Sequence, residues 1–138
     1  MGFMFYGVSH VDVQVTNLAS SQAFYCDQVG FTVAAEGDPR TVSMCHCAQC
    51  QRGTGSSYSV HADFTRDAVS VKGATNMHAR AGDTGCMITF HFCPVCASTV
   101  HWNVEAMPDM VGIPTGLFAD PAFPPPTTSI SCRRRCPG

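Results

Sequence analysis

Three cysteines fall within six consecutive residues of this chain, and they are its clearest candidates for chemistry. Cys45, Cys47 and Cys50 form the string CHCAQC. Three sulfurs this close in sequence converge on one point far more easily than they form unstrained disulfides with one another. Thiolate ligands favour zinc over magnesium or calcium, and zinc accepts tetrahedral sites built from three or four sulfurs. The spacing therefore predicts a metal site at Cys45, Cys47 and Cys50, which we call the cysteine triplet.

A second pair, Cys93 and Cys96, has the two-residue spacing of a zinc knuckle. In such a knuckle a tight turn aims two sulfurs at one ion. A redox-active pair of the same spacing is the competing interpretation. That pair would normally lie where a strand passes into a helix, and no long amphipathic helix is predicted after Cys96. Metal binding is therefore favoured over redox chemistry.

The composition limits the classes of protein to consider. The 138 residues suit one domain, and an apolar fraction of 45% against 13% charged residues excludes a charge-rich disordered chain. A net charge of −2 gives no excess of basic residues that would bind nucleic acid or an anionic membrane. No apolar run approaches the ~20 residues needed to span a membrane. Nine cysteines, an odd number, and no signal-peptide pattern argue against a secreted disulfide framework. We therefore expect reduced cysteines and a cytoplasmic protein.

Short strands dominate the secondary structure that the sequence predicts. Alternating apolar and polar residues, or short apolar runs, predict strands at residues 8–15, 31–35, 40–44, 58–64, 68–73, 86–92, 98–104 and 110–118. Residues 16–31 place apolar side chains at helical spacing and predict one early helix that ends at Gly30. Residues 51–57 are turn-rich and predict a loop after the cysteine triplet. The pattern indicates a mainly β protein whose two cysteine loops follow strand ends.

From Cys45 onward the sequence resembles the family of glutathione-dependent formaldehyde-activating enzymes and centromere protein V-like proteins. The resemblance depends on CHCAQCQRGTGSSYSVHADF at residues 45–64 and FHFCPVCASTVHW at residues 90–102. Gly73 and the late segment GIPTGLFADPAFPP support it. It implies a tent of antiparallel β-sheets with zinc knuckles, spanning residues 24–131 and followed by a tail at residues 132–138.

The same resemblance implies two zinc sites, and hence one or two zinc ions. It assigns a catalytic zinc to the cysteine triplet. It assigns a structural zinc to Cys93 and Cys96 together with an N-terminal motif, of which this chain keeps Cys26. Phe24 stands where the family has a further cysteine, and Ala97 stands where it has a glycine. The second site is therefore expected to have an incomplete set of cysteine ligands.

The first thirty residues carry a different resemblance. The segment GVSHVDVQVTNLASSQAFYCDQVGF is similar to the opening strand and helix of the glyoxalase and vicinal-oxygen-chelate superfamily, in which a histidine at the position of His10 binds metal. Residues 1–23 are therefore treated as a separate strand–helix segment. No partner repeat follows Gly37, so His10 is expected to be an ordinary histidine of a strand rather than a ligand.

The donor set indicates what reaction a zinc at the triplet would support. Three thiolates leave the site with about one formal negative charge, which makes a poor Lewis acid and disfavours a hydrolase. An incoming thiol suits it better, because the thiolate is the nucleophile. The activity that the resemblance implies is the condensation of glutathione with formaldehyde to S-hydroxymethylglutathione, as in a carbon–sulfur lyase. Arg52 is a candidate contact for the glutathione carboxylates, with a solvated arginine as the simpler interpretation.

Two other functions remain open at this stage. Both zinc sites would serve a non-catalytic β binding module if the metal only stabilised the fold, since structural zinc contributes folding free energy directly. A glyoxalase-like metalloenzyme is the third possibility, and it depends on the first thirty residues alone. The open coordination position of a three-cysteine site favours the enzyme. Its expected partners are a small thiol and a small aldehyde, without nucleic acid or membrane.

Overall fold

The computed structural model describes residues 22–26, 31–82, 85–118 and 120–131, with residues 22–26, 31 and 32 described by their backbone. The described residues form ten β-strands and one α-helix. In chain order these are β1 (Gln22–Cys26), β2 (Phe31–Ala35), β3 (Thr41–Cys45), α1 (Ala48–Thr54), β4 (Ser59–Thr65), β5 (Val69–Lys72), β6 (Asn76–Ala81), β7 (Met87–Phe92), β8 (Thr99–Val104), β9 (Met107–Pro114) and β10 (Thr128–Ile130). The prediction of a mainly β fold is confirmed.

The strands form two sheets. The larger has seven strands in the order β10-β3-β4-β9-β8-β7-β6, and the smaller has three in the order β1-β2-β5. Neighbouring strands run antiparallel in both sheets except for the pair β10 and β3, which is parallel. No helix in the described part of the chain is both long and apolar enough to cross a membrane.

The hydrophobic core lies against one face of the large sheet. Val33 from the small sheet and Ala62, Phe64 and Ile113 from the large sheet are at most 1% exposed and belong to one cluster. Successive side chains of a strand point to opposite faces, so Ser59, His61 and Asp63 project from the other face of β4. We call that face of the large sheet, directed away from the core cluster, the outer face.

The early helix predicted for residues 16–31 is wrong over its described part, because residues 22–26 form strand β1. This strand pairs antiparallel with β2, from Cys26 opposite Phe31 to Gln22 opposite Ala35. The ladder of backbone hydrogen bonds with β2 decides the conformation, which a helical spacing of a few apolar residues could not. The strand predicted at residues 8–15, His10 and the tail at residues 132–138 lie outside the described residues.

Besides β1, three described elements were not expected. Strand β6 occupies Asn76–Ala81, a segment for which the sequence predicted no strand, and it pairs antiparallel with β7. Helix α1 occupies Ala48–Thr54, where the sequence predicted the beginning of a loop. Strand β10 lies in a proline-rich region without periodicity, and it pairs with β3 so that Ile130 lies opposite Cys45. The backbone N–H of His46 also donates to the carbonyl of Ile130 at 3.0 Å, which ties this last strand to the cysteine triplet.

Candidate metal centre

The cysteine triplet forms where β3 ends and α1 begins. Cys45 is the last residue of β3, Cys47 is the N-cap of α1, and Cys50 lies in its first turn. Their three sulfur atoms lie within 4.8 Å of one another. Cys45 and Cys47 are buried, and Cys50 is partly buried. The structure therefore brings together the three sulfurs that the sequence spacing grouped.

Hydrogen bonds fix the turn that carries these sulfurs. The backbone N–H of Cys50 donates to Cys47 Sγ at 3.3 Å, so a sulfur takes the place of the usual N-cap oxygen. The side-chain amide of Gln51 donates to the carbonyl of His46 at 3.0 Å. At the other end, Gly55 adopts a left-handed conformation with φ of 66° and closes the helix. A seven-residue helix is thus capped at both ends by residues of the motif.

The spacing of the sulfurs suits a tetrahedral zinc ion. With Zn–S bonds of about 2.3 Å, tetrahedral geometry separates each pair of sulfurs by about 3.8 Å. The triplet falls within 4.8 Å, so small side-chain rotations would complete such a site. In the described part of the chain no fourth histidine, cysteine or carboxylate joins this group. A three-sulfur set of this kind leaves one coordination position for an outside ligand.

The protonation of the three thiols depends on their different surroundings. Burial raises the pKa of Cys50 to about 12, although a hydrogen bond with Ser59 opposes the rise. Burial likewise raises the pKa of Cys45. Burial acts in the same direction on Cys47, but hydrogen bonds from the Cys50 backbone and neighbouring thiols outweigh it and lower the pKa of Cys47. A divalent cation among the three sulfurs would favour all three thiolates, since its charge compensates theirs.

His46, which separates two cysteines of the triplet, does not join the sulfur group. Its side chain is buried, and neither ring nitrogen has a hydrogen-bond partner. The ring lies 5.8 Å from that of Tyr58, at an interplanar angle of 58°. Arg52 is exposed in the last turn of α1.

The outer face continues from the triplet across the sheet. Cys45 lies opposite Ser59, and Ser43 lies opposite His61. Trp102 of β8 reaches over Gly112 of β9 and meets the His61 ring edge-on at 5.1 Å. His61 and its neighbour Asp63 were not among the predicted site residues, although the alternation of residues 58–64 that predicted β4 already placed Ser59, His61 and Asp63 on one face.

The second cysteine turn, residues 93–98, has the backbone of a tight knuckle. The N–H of Ala97 donates to the carbonyl of Cys93, and the N–H of Cys93 donates to the carbonyl of Ser98, both at 2.9 Å. Ala97 has φ of 59°, a left-handed conformation that explains why glycine suits this position. Cys93 is buried, whereas Cys96 is exposed and donates to the Ser98 hydroxyl at 3.3 Å.

The predicted structural zinc site at Cys26, Cys93 and Cys96 remains a prediction. The backbone of Cys26 ends strand β1, and its side chain lies outside the described part of the molecule. None of the cysteines whose side chains are described forms a disulfide, which leaves their sulfurs available as metal ligands.

The fold and the triplet together define a β-rich domain with a three-thiol candidate metal centre, and comparisons with known proteins place this domain in a family. The profile of the glutathione-dependent formaldehyde-activating enzyme family matches residues 20–134. The chain therefore belongs to that family, as the resemblance indicated. No curated protein matches it.

A solved structure supports the fold. The chain is similar to a Rhodobacter sphaeroides protein of known crystal structure, with a TM-score of 0.53 and 14% sequence identity. The similarity covers 79% of this chain and 98% of the other. At this level of identity the comparison shows a shared fold.

Proposed function

We propose that this protein is a zinc-dependent carbon–sulfur lyase-type enzyme that condenses glutathione, or a similar thiol, with formaldehyde to give S-hydroxymethylglutathione. The observation that carries the proposal is the grouping of the Cys45, Cys47 and Cys50 sulfurs within 4.8 Å at one edge of the outer face. Membership of the formaldehyde-activating family gives the substrate class.

The triplet would hold the metal through its three sulfurs. Zinc held there would favour the thiolate form of an incoming thiol, which is the nucleophilic form. Cys47 and Cys50 are fixed relative to each other by the N–H···S hydrogen bond at the start of α1. Cys45 is fixed by the pairing of β3 with β4 and with β10.

The reaction adds a thiol across a carbonyl group. The sulfur of the thiol forms a bond to the carbon of formaldehyde while the carbon–oxygen π bond breaks. The thiol proton ends on the oxygen, so the product is a thioether carbon bearing a hydroxyl group, with no change in oxidation state. Holding the two reactants next to each other is itself a source of rate, because it converts a bimolecular step into one within a complex.

Arg52 is the proposed contact for a carboxylate of glutathione. It is exposed in the last turn of α1, two residues after Cys50, so its long side chain would have to reach around the helix to meet an anionic ligand held at the triplet. The reduced thiols that the proposal needs are consistent with a cytoplasmic location.

The test has two parts. The first is metal analysis of the purified protein after exhaustive dialysis, in which we expect one or two zinc ions per chain, at least one of them lost on Cys47→Ala. The second follows adduct formation from glutathione and formaldehyde by NMR exchange, with zinc-loaded protein, chelator-stripped protein and zinc-restored protein. Cys86→Ala is the matched control, because Cys86 is a free cysteine outside the triplet.

Acceleration by the zinc-loaded protein, loss on stripping and recovery on restoration would support the enzyme. Intact zinc without acceleration would favour a zinc-stabilised binding module. A folded protein that retains no metal after dialysis would contradict both functions.

A further inference from the structure

The outer face beside the cysteine triplet carries a histidine–carboxylate pair. His61 is 9% exposed, and its Nε2 lies 3.7 Å from Asp63 Oδ2. The Thr41 hydroxyl donates to the same Asp63 oxygen at 2.9 Å. A buried imidazole beside a carboxylate, which itself accepts from a hydroxyl, resembles the arrangement that orients a catalytic base, and a small side-chain rotation would bring the 3.7 Å pair to hydrogen-bond distance.

The strand register places this pair next to the triplet. Cys45 lies directly opposite Ser59, and His61 is the next residue of β4 on the same face. Such diagonal neighbours on antiparallel strands lie about 7–8 Å apart, which is within reach of an aromatic side chain. Ser59 itself hydrogen-bonds with Cys50, so the triplet and His61 share one surface of the sheet.

One ring nitrogen of His61 lacks a partner within the described molecule. Nδ1 is buried and makes no hydrogen bond. The carboxylate beside Nε2 favours the tautomer with the proton on Nε2, which leaves Nδ1 as a free acceptor. A buried polar atom without a partner is costly, so an acceptor left open in this position points to a ligand that donates to it.

We propose that His61 is the proton-transfer residue of this site, oriented by Asp63, and that its Nδ1 receives the thiol proton and delivers it to the oxygen of the hydroxymethyl adduct. The inference rests on the proposed function and adds to it the group that moves the proton. Imidazole Nδ1 gains the proton as the thiol loses it, and loses it as the former carbonyl oxygen gains it, so His61 ends the cycle neutral.

The surroundings of His61 suit a neutral base. Burial lowers the pKa of His61 below 6.5, and the nearby Asp63 carboxylate only partly opposes this. Around His61 the register places Ser43 from β3, Pro114 from β9 and Trp102 from β8, none of which ionises near neutral pH. Asp63 is the ionisable neighbour, with Cys45 one diagonal step away. His61 is therefore neutral at pH 7.

The experiment compares zinc-loaded wild type, His61→Gln and Asp63→Asn in the glutathione–formaldehyde assay between pH 5 and pH 8. We expect His61→Gln to keep its zinc and lose about 10²-fold of the catalysed rate, the lower range for general acid–base catalysis. Normalised to the zinc that each protein retains at each pH, the wild-type rate should fall on the acid side as His61 becomes protonated, and the variant should lack that dependence. Asp63→Asn should slow the reaction less than His61→Gln.

His78→Gln is the matched control, because His78 is exposed on edge strand β6, at the far end of the sheet. It should match wild type. A His61→Gln variant with wild-type rate and pH profile would overturn the proposal, as would loss of zinc in that variant, which would make His61 a support of the metal site. If wild type itself gives no acceleration, the proposed function fails.

A measurement without turnover separates the two failures and does not require His61→Gln to fold. Long-range proton–nitrogen NMR of the zinc-loaded protein at pH 7 reports the tautomer of each imidazole. We expect His61 as the neutral Nε2–H form, with its signals altered in Asp63→Asn. A charged imidazolium or the Nδ1–H form would overturn the proposal whatever the outcome of the assay.

Discussion

The cysteine triplet and the second cysteine turn both follow a β-strand, but they arrange their sulfurs differently. In the triplet, the strand end, the helix cap and the first helical turn each supply one sulfur, and the three lie within 4.8 Å. In the second turn, Cys93 is buried and Cys96 is exposed and hydrogen-bonded to Ser98. The first groups three sulfurs within six residues, whereas a metal at the second would need ligands from elsewhere in the chain.

The difference suggests that the distance between ligands along the chain is related to whether a metal site is catalytic or structural. A site whose ligands are local keeps its geometry as long as one turn is intact. A site that joins distant segments instead stabilises the fold, because binding the metal closes the chain between them. If both groups bind metal, the triplet would suit an exchangeable ligand and the second turn would suit a structural role.

The largest effect should separate the two regions directly. Cys47→Ala removes both a sulfur ligand and the cap of α1, so we expect the variant to lose the triplet metal and at least about 10²-fold in rate. Even mutation of the residues that hydrogen-bond to metal ligands typically costs 10–100-fold in metal affinity or activity. Cys96→Ala should leave the rate nearly unchanged. Zinc content and adduct formation, measured on both variants, check this. A rate loss in Cys96→Ala equal to that in Cys47→Ala would remove the distinction between the regions.

The next effect tests the surface beside the triplet. A Cβ on Gly112 would overlap the Trp102 indole, which lies over this glycine. We expect Gly112→Ala to displace Trp102 from His61 and to cost about 1–3 kcal/mol of unfolding free energy, the usual range for overpacking. Chemical denaturation with tryptophan fluorescence measures both, because Trp102 is the single tryptophan of the chain. Unchanged stability with a shifted spectrum would show that the indole moves away without cost, and no change in either would contradict the placement of Trp102 over Gly112.

An intermediate effect concerns the histidine pair on the strands that flank the second cysteine turn. The rings of His91 and His101 stack at 4.0 Å, and burial, together with His91 and Arg66, lowers the pKa of His101 to about 4. The unfolded chain would protonate His101 near pH 6.5 while the folded protein would not, so this residue lowers stability as pH falls from about 6.5 to about 4.

The comparison of wild type with His101→Phe isolates this contribution, because phenylalanine keeps an aromatic ring beside His91 but does not ionise. The unfolding free energy of wild type should decrease more steeply with acidification than that of His101→Phe. Any metal bound through thiolates would be lost from both proteins on acidification, so the difference between the two slopes reports His101. Parallel slopes would contradict the prediction.

The smallest effect lies in the backbone of the second turn. Ala97 has φ of 59°, which costs an alanine roughly 1–2 kcal/mol, whereas glycine adopts it freely but loses about 0.5–1 kcal/mol in chain entropy. We therefore expect Ala97→Gly to raise the unfolding free energy by about 0.5 kcal/mol. Thermal unfolding checks it, with Ala79→Gly as a control that should destabilise, since Ala79 lies within strand β6. A loss of stability in Ala97→Gly would contradict this account.

The features of this protein that depend on neighbours along the chain could be predicted from its residues alone. Cys45, Cys47 and Cys50 are close because only a strand end and one helical turn separate them. The alternation of residues 58–64 and 86–92 reports two strands for the same local reason. The family resemblance extended these local patterns to most of the chain, and the match to residues 20–134 agrees with it.

Features that depend on pairing between distant segments could be seen only once the strands were placed side by side in the folded protein. Residues 22–26 form a strand and not a helix because β2 lies beside them. Strand β10 forms because it pairs with the edge of strand β3, and the sequence of residues 128–130 does not predict a strand. His61 became a candidate because the register of β3 and β4 sets it diagonally from Cys45. Spacing along the chain does not encode which residues of two strands face each other, and that pairing determines which side chains share the candidate site.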